Sequence, residues 1–342
     1  QKIEVRWLAQ DTTDKQDYNG KNSYTLRGGG EETYAPHFTW FVFKDVEVTG
    51  WPGELTQELV QAEAVYTAVE STGHFACSNP LFEKIQRIYW RSQTDNMHGA
   101  LSSDCPHRER LGYTGDGQAS CVTAMHTFDL AAFYTKWVQD FFDAQHPVSG
   151  YVTDTAPFEG GGGGVAWGAA CILMPWQVYL HYGDKRMLER HYTGMKHYLT
   201  WMFTQVGSDG VMFSKLPDGK DTFWLNLGDW CAPDKKQPPR DLVHTFYLWR
   251  CADFMARIAS ALGQDGEALT YRVLADRTAA AFHATFYDSE KGTYGPVGGN
   301  VFALVMGVPQ ERLARVKLAL KVDIEANGGH LDTGIFGTGF LF

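Results

Sequence analysis

The sequence predicts a mainly α-helical protein with an N-terminal β part. Residues 1 to about 75 hold short runs of aromatic and β-branched residues between Gly and Pro clusters, which is typical of strands. From about residue 78, apolar residues recur at helical spacing, and long loops rich in Gly, Trp and Asp separate the helical stretches. Paired helices with long loops at one end indicate an α/α toroid or barrel.

The β part is expected to form a domain over residues 1–75. Four runs predict strands, and they cover residues 5–8, 38–43, 45–48 and 63–69. Several short strands of this kind indicate a β-sandwich or part of one. The chain opens in a strand-like run without a signal-peptide pattern, so we expect it to be an excised piece of a longer protein.

The helical part is expected to form a second domain over residues 76–342. Asn79-Pro80 starts it well, because Asn is a capping residue and Pro fits the first turn. Further helices are predicted at 117–145, 169–182, 186–204, 241–262, 265–286 and 309–321. The loops between them fall at 99–116, 146–168, 206–240 and 287–300, and loops this long in a compact domain are usually functional.

Composition excludes several classes of partner. The formal net charge of −10 disfavours nucleic acid and anionic membrane surfaces, and no apolar run reaches the roughly 18 residues of a membrane span. The six cysteines are widely spaced without a C-x-x-C pair, so we expect free, mostly buried thiols and no zinc site. Aromatic residues make up 14% of the chain, and tryptophans in Gly-rich loops suit the apolar faces of sugar rings.

The most informative segment is residues 104–116, which read D-C-P-H-R-E-R-L-G-Y-T-G-D. It concentrates three carboxylates, two guanidiniums and an imidazole in a stretch interrupted by Pro and Gly, which indicates a shaped loop. Such a loop between apolar elements is typical of an active site on a scaffold. A surface turn with ion pairs is the structural alternative. Cys105 lies between an acid and a proline without an obvious base, so a structural role is preferred to a nucleophilic one.

Residues 104–116 resemble the signature of the α-L-rhamnosidases of glycoside hydrolase family 78, which typically reads D-C-P-Q-R-E-R-L-G-W-T-G-D. His107 and Tyr113 are the two departures from that pattern. Further segments resemble the family in the same order along nearly the whole chain: Thr49-Gly50-Trp51-Pro52-Gly53, Ala166-Trp167-Gly168, Gly228-Asp229-Trp230 and the C-terminal run G-H-L-D-T-G-I-F-G-T at 329–338.

The resemblance implies an (α/α)6-barrel catalytic domain preceded by a β-sandwich domain. The implied activity is the inverting hydrolysis of terminal α-L-rhamnosides, with a carbohydrate as the partner and no cofactor or metal. By position, Glu109 is the implied general acid. The implied or candidate substrate-binding residues are Asp104, Arg108, Tyr113, Asp116, Trp167, Asp229 and Trp230. At the level of the family, an extracytoplasmic location is favoured over a cytoplasmic one.

The family's general base is a Glu downstream of residues 334–337, so we expect the base to lie outside this chain and the barrel to be incomplete. Asp229 is the best substitute within it. Tyr113 keeps an aromatic face but adds a hydroxyl, which can reshape the pocket for another sugar. An enzyme of the same fold for a different glycan, and a carbohydrate-binding but catalytically incomplete fragment, remain the alternatives.

The chemistry of glycoside hydrolysis explains why these residue types are needed. An acid must protonate the departing oxygen, and repulsion from Asp104 and Asp116, with burial under Tyr113, favours the protonated form of Glu109. One of Arg108 and Arg110 is expected to engage another carboxylate. Asp104 and Asp116 can accept hydrogen bonds from sugar hydroxyls. The structural alternatives are a helix N-cap for Asp116 and a turn for Asp229.

Overall fold

The computed structural model of the chain describes residues 1–8, 20–158, 164–213, 227–234, 237–296 and 298–342. The chain divides into two compact units. The first comprises Gln1–Ala68 and Phe75–Leu111, and the second comprises Val69–His74 and Gly112–Phe342. The prediction of a mainly helical protein with N-terminal strands is confirmed. The predicted domain boundary at residues 75 and 76 stays a prediction.

The first unit contains a three-stranded antiparallel sheet in the order β2-β1-β3. Its strands are β1 (Lys2–Leu8), β2 (Gly20–Thr25) and β3 (Asp45–Thr49). The strands predicted at 38–43 and 63–69 are wrong, because these residues lie outside regular strands. Two aromatic side chains of this stretch pack on Trp7 instead. Phe41 stacks on Trp7 at 5.2 Å between ring centroids, and Phe43 packs on the same ring at 4.9 Å.

The first unit also holds helix α1 (Pro80–Asn96) and the short hairpin of β4 (Met97–His98) and β5 (Leu101–Ser102). The sequence signal at the start of α1 is confirmed. The Asn79 side chain accepts a hydrogen bond from the backbone N–H of Leu81 at 3.0 Å, which satisfies one of the free donors at the helix N-terminus. The hairpin leads directly into the charged segment.

The second unit is built from helices. They are α2 (Thr114–Thr127), α3 (Ala131–Asp143), α4 (Val165–Gly168), α5 (Ala170–Tyr182), α6 (Arg186–Thr204), α7 (Arg240–Ala261), α8 (Asp265–Thr285), α9 (Gly299–Met306), α10 (Gln310–Ala326) and α11 (Ile335–Leu341). Helices α2, α5, α7, α9 and α11 contact one another in succession, and α11 contacts α2 again. None of the helices of the described residues is both long and apolar enough to cross a membrane.

Burial separates two kinds of helix in this unit. Helix α7 is buried along most of its length, whereas α8, which packs on it, buries only Ala275, Thr278 and Phe282. Similarly, α9 is mostly buried and its neighbour α10 buries only Val316. In these two pairs a buried helix is therefore followed by a largely exposed one, as expected for layered helical hairpins.

The predicted helix at 117–145 is in fact two helices, α2 and α3. Phe128 between them forms a bridge with Ser71, and the backbone N–H of Asp129 donates to the carbonyl of Glu70. The N–H of Leu130 donates to the Tyr182 hydroxyl at 2.8 Å. These partners come from distant parts of the sequence, so local periodicity could not indicate the break.

Candidate active site

The charged segment begins as a loop closed on itself by backbone hydrogen bonds. The N–H of Asp104 donates to the carbonyl of Leu111 at 3.4 Å. The carbonyl of Cys105 accepts the N–H groups of Arg108 at 3.2 Å and of Arg110 at 3.3 Å. Arg110 adopts a left-handed backbone conformation with a φ of 57°, which turns the chain back toward Leu111. The prediction of a shaped loop is therefore confirmed.

Three side chains of this loop converge. One ligand atom each from Asp104, Cys105 and Glu109 lies within 4.8 Å of the other two. The Cys105 thiol donates a hydrogen bond to Oδ2 of Asp104 at 2.7 Å. The other carboxylate oxygen, Oδ1, is buried and has no hydrogen-bond partner among the residues that the structure describes. Asp104 therefore has one oxygen bound to the thiol and one buried acceptor without a partner among the described residues.

The three clustered atoms have a spacing that could hold a metal ion. Burial, followed by the hydrogen bond to Asp104, raises the pKa of Cys105 to about 12. The thiol is therefore neutral at physiological pH and acts as a donor to Asp104.

One expectation for the same loop is wrong, because Glu109 is exposed and not buried; Arg108 is exposed as well. The expectation that Arg108 or Arg110 engages another carboxylate stays a prediction. The Arg110 guanidinium donates to the carbonyl of Trp40 at 3.0 Å and lies over the Trp40 ring at 5.3 Å. Arg110 thus anchors the loop within the first unit.

Tyr113 and Asp116 belong to the second unit, at the start of α2. Tyr113 is the residue before the helix, and its backbone forms an isolated antiparallel β-bridge with Thr155. Asp116 lies inside the first turn of α2, so the N-cap alternative is wrong. A carboxylate in that turn is favoured by the partial positive charge of the helix N-terminus.

Trp167 lies in α4 and is only 2% exposed, and its role as a wall of the sugar pocket stays a prediction. Its ring packs edge-on against Phe336 at 5.1 Å between centroids. A second contact is with Gly115, where a Cβ atom would lie only 2.6 Å from the indole. The glycine of the charged segment is therefore required for close packing on Trp167.

Asp229 has a structural role in place of the predicted contact with sugar. It is fully buried, and its carboxylate accepts the backbone N–H groups of Gly334 at 2.8 Å and of Phe336 and Gly337 at 3.0 Å each. These donors surround the start of α11, so Asp229 caps that helix from a distant loop. Burial raises the pKa of Asp229, and the three backbone hydrogen bonds oppose that rise.

Trp230, next in the chain, is 45% exposed, and its contact with a sugar stays a prediction. Its carbonyl accepts the N–H of Ile335 at 2.8 Å, which strengthens the same junction with α11. The structure therefore brings Asp229 and Trp230 together with the C-terminal motif. Asp104, Arg108 and Glu109 belong to the first unit, and Tyr113, Asp116, Trp167, Asp229 and Trp230 belong to the second.

The comparisons with known proteins agree with this architecture. Residues 70–342 match the sequence model described as the bacterial alpha-L-rhamnosidase 6 hairpin glycosidase domain, and residues 8–66 match the bacterial alpha-L-rhamnosidase concanavalin-like domain. The helical unit is thus part of a six-hairpin glycosidase domain. The chain belongs to the bacterial α-L-rhamnosidase family.

Individual relatives are similar over nearly the whole chain. An α-L-rhamnosidase from Streptomyces avermitilis is 35% identical over 323 residues, which cover 93% of this chain and 30% of the relative. The solved α-L-rhamnosidase from Dictyoglumus thermophilum superposes with a TM-score of 0.85 at 32% identity, over 100% of this chain and 39% of that one. The Streptomyces avermitilis α-L-rhamnosidase, solved in complex with L-rhamnose, gives 0.83 at 32% identity, over 98% and 32% of the two chains. The chain therefore spans about a third of these relatives.

Proposed function

We propose that this chain forms part of an inverting α-L-rhamnosidase, which releases terminal L-rhamnose from rhamnosides. The observation that carries the proposal is the cluster of Glu109 and Asp104, with atoms within 4.8 Å of each other on a loop inside the matched family domain. The names of the relatives and the L-rhamnose complex of the Streptomyces avermitilis enzyme support the choice of sugar.

Glu109 is proposed as the general acid. Its exposure leaves the carboxyl group accessible to the glycosidic oxygen of a bound substrate. In an inverting mechanism, one carboxylic acid protonates that oxygen while a base activates water on the opposite face of the sugar. Asp229 is not proposed as this base, because its two oxygens are occupied by three backbone N–H groups.

Asp104 is proposed to bind a sugar hydroxyl through Oδ1. A carboxylate can only accept hydrogen bonds, and a hydroxyl is a donor that matches a buried, unpartnered acceptor. Arg108, in the same unit, is proposed as a further contact to a sugar hydroxyl. The sugar-binding roles of Asp116, Tyr113 and Trp230, which belong to the second unit, stay predictions.

The test is the dependence of hydrolysis on the leaving group. In the whole enzyme of which this chain is proposed to form part, Glu109→Gln should lower kcat/KM for alkyl rhamnosides, whose leaving groups need a proton, by about a hundredfold or more. Activated aryl rhamnosides, whose leaving groups depart as anions, should lose much less. Glu31→Gln, an exposed carboxylate of the same unit, is the matched control and should leave both rates unchanged. Equal losses on the two substrate classes would remove Glu109 from the role of acid.

The second candidate function is the hydrolysis of glycosides of another sugar, since Tyr113 places a phenol where the family usually has an indole. A comparison of aryl α-L-rhamnoside, α-L-fucoside and α-D-mannoside hydrolysis would separate the two. Preferential hydrolysis of a glycoside other than the rhamnoside would contradict the proposed substrate.

A further inference from the structure

Cys105 makes a contact that the sequence did not predict. Its Sγ lies 2.7 Å from Oδ2 of Asp104, and the S–H group is the donor. The loop backbone holds the cysteine in place, because its carbonyl accepts the N–H groups of both Arg108 and Arg110. The thiol is therefore presented to Asp104 by a closed loop and is not a freely rotating surface group.

The consequence concerns the free oxygen of Asp104. A carboxylate turns about its Cβ–Cγ bond, and a donor bound to one oxygen fixes the plane of both. With Oδ2 bound to the thiol, Oδ1 is the buried acceptor without a partner among the described residues. An unsatisfied buried acceptor is costly unless a ligand supplies the missing donor.

We propose that Cys105 is a positioning residue, whose thiol orients the Asp104 carboxylate so that Oδ1 accepts a hydrogen bond from a sugar hydroxyl. This inference rests on the proposed function, in which Asp104 binds the sugar. It deepens that function, because Cys105 then influences sugar binding without touching the sugar, by orienting Asp104. The neutral state of the thiol fits this part, since only a protonated sulfur can donate.

The experiment measures the dissociation constant for L-rhamnose by titration calorimetry in the protein and in five variants. Binding is the readout because it does not require the general base. Cys105→Ala removes the donor and should weaken binding about tenfold, the scale of one hydrogen bond to a charged group. Cys105→Ser keeps a donor and should remain within about threefold of the parent. Cys77→Ala, an exposed thiol of the same unit, is the control and should change nothing.

Asp104→Ala and the double variant with Cys105→Ala complete a double-mutant cycle. If the thiol acts only through Asp104, then Cys105→Ala should cause no further loss once Asp104 is gone. A structural role for the cysteine would instead weaken binding equally in both backgrounds, and that result overturns the inference. Thermal unfolding of each variant verifies that the comparison is made on folded protein.

The remaining outcomes separate this inference from the proposed function. If Asp104→Ala weakens binding and Cys105→Ala does not, the inference is wrong and the proposed function stands. If the unaltered protein does not bind L-rhamnose, both are wrong. If EDTA abolishes binding and added Ca²⁺ or Zn²⁺ restores it, the cluster is a metal site and the positioning role is overturned.

Discussion

Replacing Asp229 should destabilise the junction between its loop and α11. In Asp229→Asn, the amide oxygen can keep the two N–H groups that Oδ1 accepts, from Phe336 and Gly337. The amide NH₂ then faces the N–H of Gly334, which Oδ2 accepts at 2.8 Å in the unaltered protein. A hydrogen bond to a charged group is lost and a buried donor is left unpaired, which together cost about 2–3 kcal/mol. Asp229→Ala leaves all three donors unpaired and should cost about 4–5 kcal/mol.

The assay is urea unfolding followed by tryptophan fluorescence, combined with hydrogen exchange of the backbone amides. Protection should fall first at Gly334, Phe336 and Gly337, because their donors lose the carboxylate. Asp265→Asn, an exposed carboxylate in the first turn of α8, is the control and should cost less than about 1 kcal/mol. If Asp229→Asn unfolds within about 0.5 kcal/mol of the unaltered protein, the capping role deduced here is refuted.

Three further outcomes are expected. Because burial raises the pKa of Asp229 above its ordinary value, the folded state holds this proton more tightly than the unfolded state. The stability advantage over Asp229→Asn should therefore shrink as the pH rises from the ordinary carboxyl pKa through the raised one, and an unchanged gap would contradict the raised pKa. Because the pKa of Cys105 is raised to about 12, iodoacetamide at about pH 8 should alkylate the exposed Cys77 and spare Cys105, as peptide mass spectrometry can show. Gly115→Ala should destabilise by about 1–3 kcal/mol, since its Cβ would lie 2.6 Å from an indole ring, whereas Gly266→Ala in open space on α8 should be neutral or stabilising in the same urea assay.

The parts of the fold that local sequence decides were predictable. The Asn79-Pro80 start of α1 and the full extent of α6 follow from capping residues and apolar periodicity, and both are observed. The strand predicted at 38–43 was wrong because aromatic residues are common both in strands and in loops that pack on another side chain. Here Phe41 and Phe43 pack on Trp7, and composition alone does not distinguish the two cases. Helix α11 was missed because its seven residues depend on a cap supplied by Asp229, more than a hundred positions earlier.

The candidate site was predictable in its residue types and less so in their roles. The charged segment proved to be a closed loop with a carboxylate cluster, as its Pro and Gly residues indicated. The contacts of this loop could not be predicted from the sequence, which does not show that the Cys105 thiol donates to Asp104 or that the Arg110 guanidinium donates to the carbonyl of Trp40. The burial of Trp167 was not indicated by its Gly-rich context, because the glycine that makes room for its ring is Gly115, more than fifty positions earlier.

Asp229 also explains why two motifs far apart in the sequence both resemble the family. The carboxylate of the G-D-W motif binds the backbone of the G-I-F-G motif, and a Cβ at Gly334 would lie 2.3 Å from the Asp229 carbonyl oxygen. The acid and the glycine are therefore two halves of one junction, and neither can change alone without a clash or an unpaired buried group. Because this junction lies beside the exposed ring of Trp230, its rigidity sets where that aromatic face is held. The two motifs thus share a structural role within the second unit, whereas the proposed chemistry belongs to Asp104 and Glu109 of the first.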